Sequence, residues 1–329
     1  MKTLHVGNAP CSWGTLEHQD TSQQIPFDRM LNELVETGYT GTEMGDWGYM
    51  PTDPTALNEE IKKRNLVMLG AFVPVAMKYP AAHAEGVAAA LKTARLLAAV
   101  AATPAPFLVL ADDNGTDPAR TRIAGRVTPS DGLTPAEWKT FASGADQIAK
   151  AVFEETGLRT VFHHHCAGYV ETPREIATLL ELTNPERLGL VFDTGHYYHG
   201  TGSQDVDLVA ALNEFKDRIW YIHLKDLEPE FARRSRAEGW DYFTGLRHGL
   251  SASWVKGASI FRRSSNGSVR KTTRAMPWSN RTFCPAWARP KKARSETANT
   301  FAPSNPIFPE SFLRISCVAF GLVFPCEFE

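Results

Sequence analysis

Thiol chemistry is the first thing this chain lacks. Its five cysteines (Cys11, Cys166, Cys284, Cys317 and Cys326) are odd in number and share no metal-site spacing. That argues against a disulfide framework and against a thiolate zinc site. Long apolar runs are missing too. No stretch approaches the roughly 18 uninterrupted apolar residues of a membrane-spanning helix, and the opening Met1-Lys-Thr-Leu-His-Val-Gly7 enters strand-like text without an apolar signal core. A soluble, cytoplasmic chain with no membrane partner is the expectation. Net charge is only −2, from 35 Lys+Arg against 37 Asp+Glu. The near-balance hides an asymmetry. Positions 250–329 hold 12 Lys+Arg, 4 Glu and no Asp, a net of +8, which leaves −10 for the rest. An acidic body does not draw phosphates into a groove, so no nucleic-acid partner is expected.

What is present is a regular alternation of strand and helix. Leu4 to Ala9 reads as a first strand and Pro26 to Thr37 as a helix closed by Gly38. Tyr39 to Met44 is a second strand ending at Glu43, and Asp53-Pro54 opens the next helix with a cap followed by a proline that costs no hydrogen bond. Leu66 to Val73, the Ala-rich helix His83 to Ala101, and strand Phe107 to Ala111 follow. The Gly-, Thr- and Arg-rich stretch Gly115 to Leu133 is expected to lie over a barrel mouth. Thr134-Pro-Ala-Glu137 spells a capping box for a helix to Glu155. Seven such alternations in about 220 residues predict a (β/α)8 TIM barrel, with a doubly wound sheet as the alternative. After about Gly249 neither period 2 nor period 3.6 survives. We therefore divide the chain into a barrel over 1–249 and an irregular, basic tail over 250–329, with strand and helix eight missing or replaced by that tail.

Three apolar runs between Val161 and Lys225 each end in polar groups: Val161-Phe-His163-His164-His165, Leu190-Val-Phe-Asp193-Thr-Gly-His196, and Tyr221-Ile-His223-Leu-Lys225. Runs of this kind are buried parallel strands, and side chains at their carboxyl ends are where such sheets build active sites. One histidine at a strand end is more often structural. Three strands ending this way point to a metal, with Asp193 and His223 the strongest pair of ligands. Nitrogen and oxygen donors without thiolate suit Mn²⁺ or Co²⁺, with Zn²⁺ or Mg²⁺ also admissible. Alternation places His163 and His165 on one side, one of them a ligand and the other a substrate contact, and turns His164 outward. Glu43, His165, His196 and Lys225 are the proton-transfer candidates; Trp13, Glu43 and His196 are the substrate-contact candidates. Asp112 and Asp113 read as loop caps. Phe162, Phe192 and Trp220 read as core.

The segments Asn8-Ala-Pro-Cys-Ser-Trp13-Gly, Gly38-Tyr-Thr-Gly-Thr-Glu43-Met-Gly, Gly48-Tyr-Met-Pro-Thr-Asp53-Pro, Gly189-Leu-Val-Phe-Asp193-Thr-Gly-His196 and Tyr221-Ile-His223-Leu-Lys225-Asp resemble the inosose dehydratase family of xylose-isomerase-like TIM barrels. The resemblance spans Met1 to about Gly249. It implies one divalent ion held by residues of strands five to eight, usually Glu, Asp, His and Glu. Asp193 and His223 fall on the second and third places, and His163 stands where many relatives have Glu. The fourth ligand, a Glu ending strand eight, has no counterpart. The implied activity is dehydration of a keto-inositol through an enediolate. A ketose isomerase or epimerase, or an inactive barrel lacking the fourth ligand, is the alternative. The implied partner is a small polyol or keto-sugar, with a homo-oligomer left open.

The tail itself carries a further clue. Trp278-Ser-Asn-Arg-Thr, read one base earlier, can encode Val-Glu-Gln-Asp. The same shift turns Ser259-Ile-Phe-Arg-Arg-Ser-Ser-Asn-Gly267 into Val-Asp-Leu-Pro-Ala-Val-Val-Glu-Trp, and Ala288-Arg-Pro-Lys-Lys-Ala293 into Gly-Thr-Pro-Lys-Glu-Ser. Three family-like phrases in one frame and in order suggest a frameshift near Gly249. Sequencing the gene across that point tests it.

Overall fold

The structure is a computed structural model and describes residues 5–13, 25–203, 205–227, 229–248, 251–252 and 314–317. The tail phrases that suggested a frameshift lie outside the described residues.

Eight parallel strands close into a barrel. They are β1 (His5–Asn8), β2 (Gly41–Glu43), β3 (Val67–Val75), β4 (Phe107–Asp112), β5 (Thr160–His163), β6 (Leu188–Asp193), β7 (Ile219–Leu224) and, in the eighth position, a strand from the tail. Two short segments, β8 (Asp226–Leu227) and β9 (Ser251–Ala252), pair antiparallel outside the barrel, so the tail strand Arg314–Cys317 is β10. It lies between β7 and β1, matching Ile315 to Ile222 on one side and Gly7 to Ser316 on the other. Of the two expectations for strand eight, missing or replaced by the tail, the structure has the second: Arg314–Cys317 stands in its place. A seven-stranded barrel would leave two rows of backbone N–H and C=O groups unpaired, and a four-residue segment is enough to answer them. Four residues are too few for periodicity to reveal.

The helices are α1 (Phe27–Glu36), α2 (Pro54–Lys62), α3 (Pro80–Ala99), α4 (Pro118–Arg122), α5 (Pro135–Thr156), α6 (Pro173–Leu182), α7 (Thr194–Gly200), α8 (Leu208–Phe215), α9 (Pro229–Ala237) and α10 (Tyr242–Arg247). A cap followed by proline starts four of them. Asp53, Asp117, Thr134 and Thr172 each accept a backbone N–H of the first turn, and the next residue is a proline whose missing N–H had no partner to lose. The capping boxes Thr134/Glu137 and Thr172/Glu175 are both complete. Gly157 ends α5 at φ 71°, a left-handed turn that favours glycine. The stretch expected as loop, Gly115 to Leu133, contains α4 and a 3-10 turn at Pro129–Asp131.

Period-2 alternation sorts the strand residues into two layers. Leu69, Phe107, Val109, Val161, Val191 and Tyr221 pack together inside the barrel. Leu108, Leu110, Phe162, Leu190, Phe192 and Ile222 face the helices. Gly7 and Gly41 are register partners, and a Cβ on either would strike Leu69, whose side chain occupies that part of the interior. Phe162 and Phe192 are fully buried as expected, whereas Trp220 is only partly buried, stacked on Phe107 with Arg159 over its other side. Among the described residues no helix is long and apolar enough to cross a membrane.

Candidate metal centre

The interior layer decides which polar residues meet. Val161, Val191 and Tyr221 point inward, so the residues two further on, His163, Asp193 and His223, point inward as well at the carboxyl ends of β5, β6 and β7. Asp193 and His223 are register partners. One donor atom from each of the three residues lies within 4.8 Å of the others. His163 Nε2 is 3.3 Å and His223 Nδ1 3.7 Å from Asp193 Oδ2, and all three side chains are buried.

Donor chemistry at this cluster fits a divalent cation. His223 Nδ1, 3.7 Å from Asp193 Oδ2, is buried with no hydrogen-bond partner, a costly state for a nitrogen lone pair unless an electrophile meets it. Asp193 is held rigidly: its Oδ1 accepts from the backbone N–H groups of Gly195 (3.0 Å) and His196 (2.9 Å), and its own N–H donates to His164 Nε2 (3.0 Å). Burial opposes ionisation of Asp193, but Lys225 first and His196 next outweigh it, and the carboxyl stays well below its usual range. Burial pushes His163 down to about 3, which leaves it neutral and able to donate a lone pair. For His223, burial works in the same direction, yet Glu43 and Asp193 together win and raise it.

Beside this cluster stands a second group of buried ionisable side chains. Lys225 Nζ is 3.0 Å from Asp193 Oδ2 and 2.9 Å from His196 Nε2, and the whole side chain is 5% exposed. The His165 and His196 rings lie 3.7 Å apart between centroids, tilted by 40°, with the Tyr242 hydroxyl 3.4 Å from His165 Nε2. Burial, followed by neighbouring positive charge, holds both imidazoles well below their ordinary value. Glu43 Oε1 accepts from the Tyr221 hydroxyl at 2.7 Å and meets His223 Nε2 at 2.8 Å. His164 does turn outward from the barrel interior. It is nonetheless fully buried, packed against Phe192 and Tyr197. Trp13 sits in the layer between sheet and helices, its indole N–H donating to Glu33.

Three features escaped sequence reasoning. Tyr221 was one: it lies two residues before His223, so period 2 alone placed it on the same face. Cys11, after β1, feels the charges of Lys225 and Glu43, and burial drives its thiol up to about 12. Glu171 is the third. It is completely buried, accepts the N–H groups of Gly125 (2.6 Å) and Ala167 (2.8 Å), and its carboxyl is pushed up to about 7 by burial. Nothing in Val170-Glu171-Thr172 distinguishes it from a surface helix cap. Asp112 caps as expected, accepting from Tyr169 N–H, and burial raises it to about 6.

The closed barrel, with polar side chains concentrated at the carboxyl ends of β5 to β7, defines the class, and the chain belongs to the xylose isomerase-like TIM barrel family, whose model matches residues 31–260. Among curated proteins it is similar to the inosose dehydratase of Geobacillus kaustophilus, at 29% identity over 248 residues, 75% of this chain and 77% of the other. It is likewise similar to the inosose dehydratase of Lacticaseibacillus casei, at 27% identity over 253 residues and 79% of that protein. In fold it is similar to the IolI protein solved with a bound zinc atom (TM-score 0.56, 14% identity, 97% of this chain and 90% of that one).

Proposed function

We propose that this chain is a metal-dependent hydro-lyase that removes water from a keto-inositol such as 2-keto-myo-inositol. The observation that supports it best is the juxtaposition of two clusters at one end of the barrel. A His163–Asp193–His223 donor set lies directly against the buried Lys225–His196 pair. The inosose dehydratases that resemble the chain over three quarters of its length favour that substrate class. A divalent ion held by His163, Asp193 and His223 would supply Lewis-acid chemistry to the substrate's oxygens.

The chain's own residues carry the protons. Lys225 and His196 share a short hydrogen bond, so a proton taken by one is passed to the other. A base in this pair removes the proton α to the ketone, and the electron pair moves onto the carbonyl oxygen to give an enediolate. The pair then returns through carbon and expels the β-hydroxyl, which leaves as water with a proton from an acid. The proton taken by the Lys225–His196 pair is returned to the departing hydroxyl, with the Lys225 ammonium as that acid, and His165 lies beside His196 as a further substrate contact.

Purified full-length protein supplied with Mn²⁺ or Co²⁺ should convert 2-keto-myo-inositol to a product lighter by one water, read by mass spectrometry. Asp193→Asn should abolish both turnover and retention of the ion. A product of unchanged mass would identify an isomerase or epimerase instead, and turnover by Asp193→Asn equal to wild type would sink the proposal.

A further inference from the structure

We infer that Glu43 and Tyr221 are positioning residues that aim His223 at the metal, and that Glu43 is not the base. This rests on the metal-centre reading above.

Glu43 belongs to β2 and His223 to β7, strands separated in the barrel order by β1 and β10, so their contact crosses the interior rather than following the sheet. Tyr221 and His223 stand two apart on β7 and point the same way, and one carboxylate oxygen, Glu43 Oε1, serves both. A carboxylate only accepts, so the hydrogen between the two residues sits on His223 Nε2. In the neutral ring that fixes the lone pair on Nδ1. Nδ1 is the atom that is buried without a hydrogen-bond partner and lies on the Asp193 side, 3.7 Å from Oδ2. The arrangement is carboxylate, imidazole, then cation, in which an outer carboxylate sets the tautomer and raises the basicity of the ligand. Glu43 does not join the group of donor atoms that lie within 4.8 Å of one another, so it supports a ligand rather than being one. Its Oε1 is already occupied by two donors, so taking a substrate proton there would break both contacts and release His223.

The test uses the full chain and Co²⁺ alone as the probe, with affinity measured by competition against a chromophoric chelator and the cobalt visible spectrum recorded. Glu43→Gln should weaken Co²⁺ binding by about 10- to 100-fold. It should also alter the spectrum, because an amide facing Nε2 no longer enforces the tautomer. Tyr221→Phe keeps the ring and the packing and should weaken binding several-fold. It serves as the second readout should Glu43→Gln fail to fold. Asp193→Asn separates the two readings: cobalt affinity unchanged in that variant would refute the metal centre itself. If Asp193→Asn loses cobalt while Glu43→Gln and Tyr221→Phe bind it like wild type, the positioning role is overturned.

Discussion

Lys225 occupies a position where one ammonium lies 3.0 Å from Asp193 Oδ2 and 2.9 Å from His196 Nε2, with almost no access to water. Proton transfer by a placed side chain typically contributes about 10²- to 10⁴-fold. Lys225→Met should therefore lower kcat on 2-keto-myo-inositol by a factor in that range while the bound-metal stoichiometry stays at the wild-type value. Steady-state kinetics beside metal analysis checks this, and a variant with undiminished kcat would remove Lys225 from the chemistry. The sequence made His163, Asp193, His223 and Lys225 legible because each follows an apolar run at a fixed parity. It left the roles of Glu43 and Tyr221 unread, because a contact across the barrel joins residues 178 apart and has no local signature.

At the scale of elements, the segment after β4 is fastened to the segment after β5 by a buried polar clamp. Arg120, 1% exposed, forks onto Glu175 (3.0 and 3.1 Å) and donates to Gly168 O, while Glu175 Oε2 also accepts from the Glu171 and Thr172 N–H groups. Glu171 clamps Gly125, a residue at φ 74° whose Cβ position would strike the His199 ring. Removing one partner of a buried pair strands the other charge, so Arg120→Met should cost about 3 kcal/mol or more of unfolding free energy. Urea denaturation measures it; a loss below about 1 kcal/mol would mean the pair is expendable. The capping boxes, proline starts and Gly157 stop could be read from the sequence because capping is decided within four residues. The clamp could not, since Arg120 looks like any basic residue in a Gly- and Thr-rich loop until α6 is packed beside it.

For the whole molecule, buried ionisable groups set a pH of greatest stability. Burial depresses His163, His164, His165, His196 and His199 from 6.5, so the unfolded chain binds more protons on the acid side and stability rises as pH climbs toward 6.5. Glu171 has the opposite sign. Raised from 4.5 to about 7, it contributes stability below 4.5 that is lost as pH rises through about 7, and the raised His223 acts the same way above 6.5. Thermal unfolding of the metal-free protein should show a maximum near pH 6.5, and Glu171→Gln should steepen the rise from about pH 4.5 to 6.5, because it removes a slope of opposite sign there. A midpoint that climbs steadily from about pH 5 to about pH 8 would contradict this account.

Local chemistry determined the helix starts and stops, the β/α alternation and the inward parity of His163, Asp193 and His223, because caps and periodicity act over a few residues. Only the tertiary structure decided what closes the barrel. Edge strands β7 and β1 present backbone groups that any extended segment can pair, and the choice of Arg314–Cys317 rests on that demand rather than on a pattern in those four residues. The same holds for the carboxylate that steadies His223. Glu43 meets His223 because closing the barrel brings β2 within hydrogen-bond reach of β7.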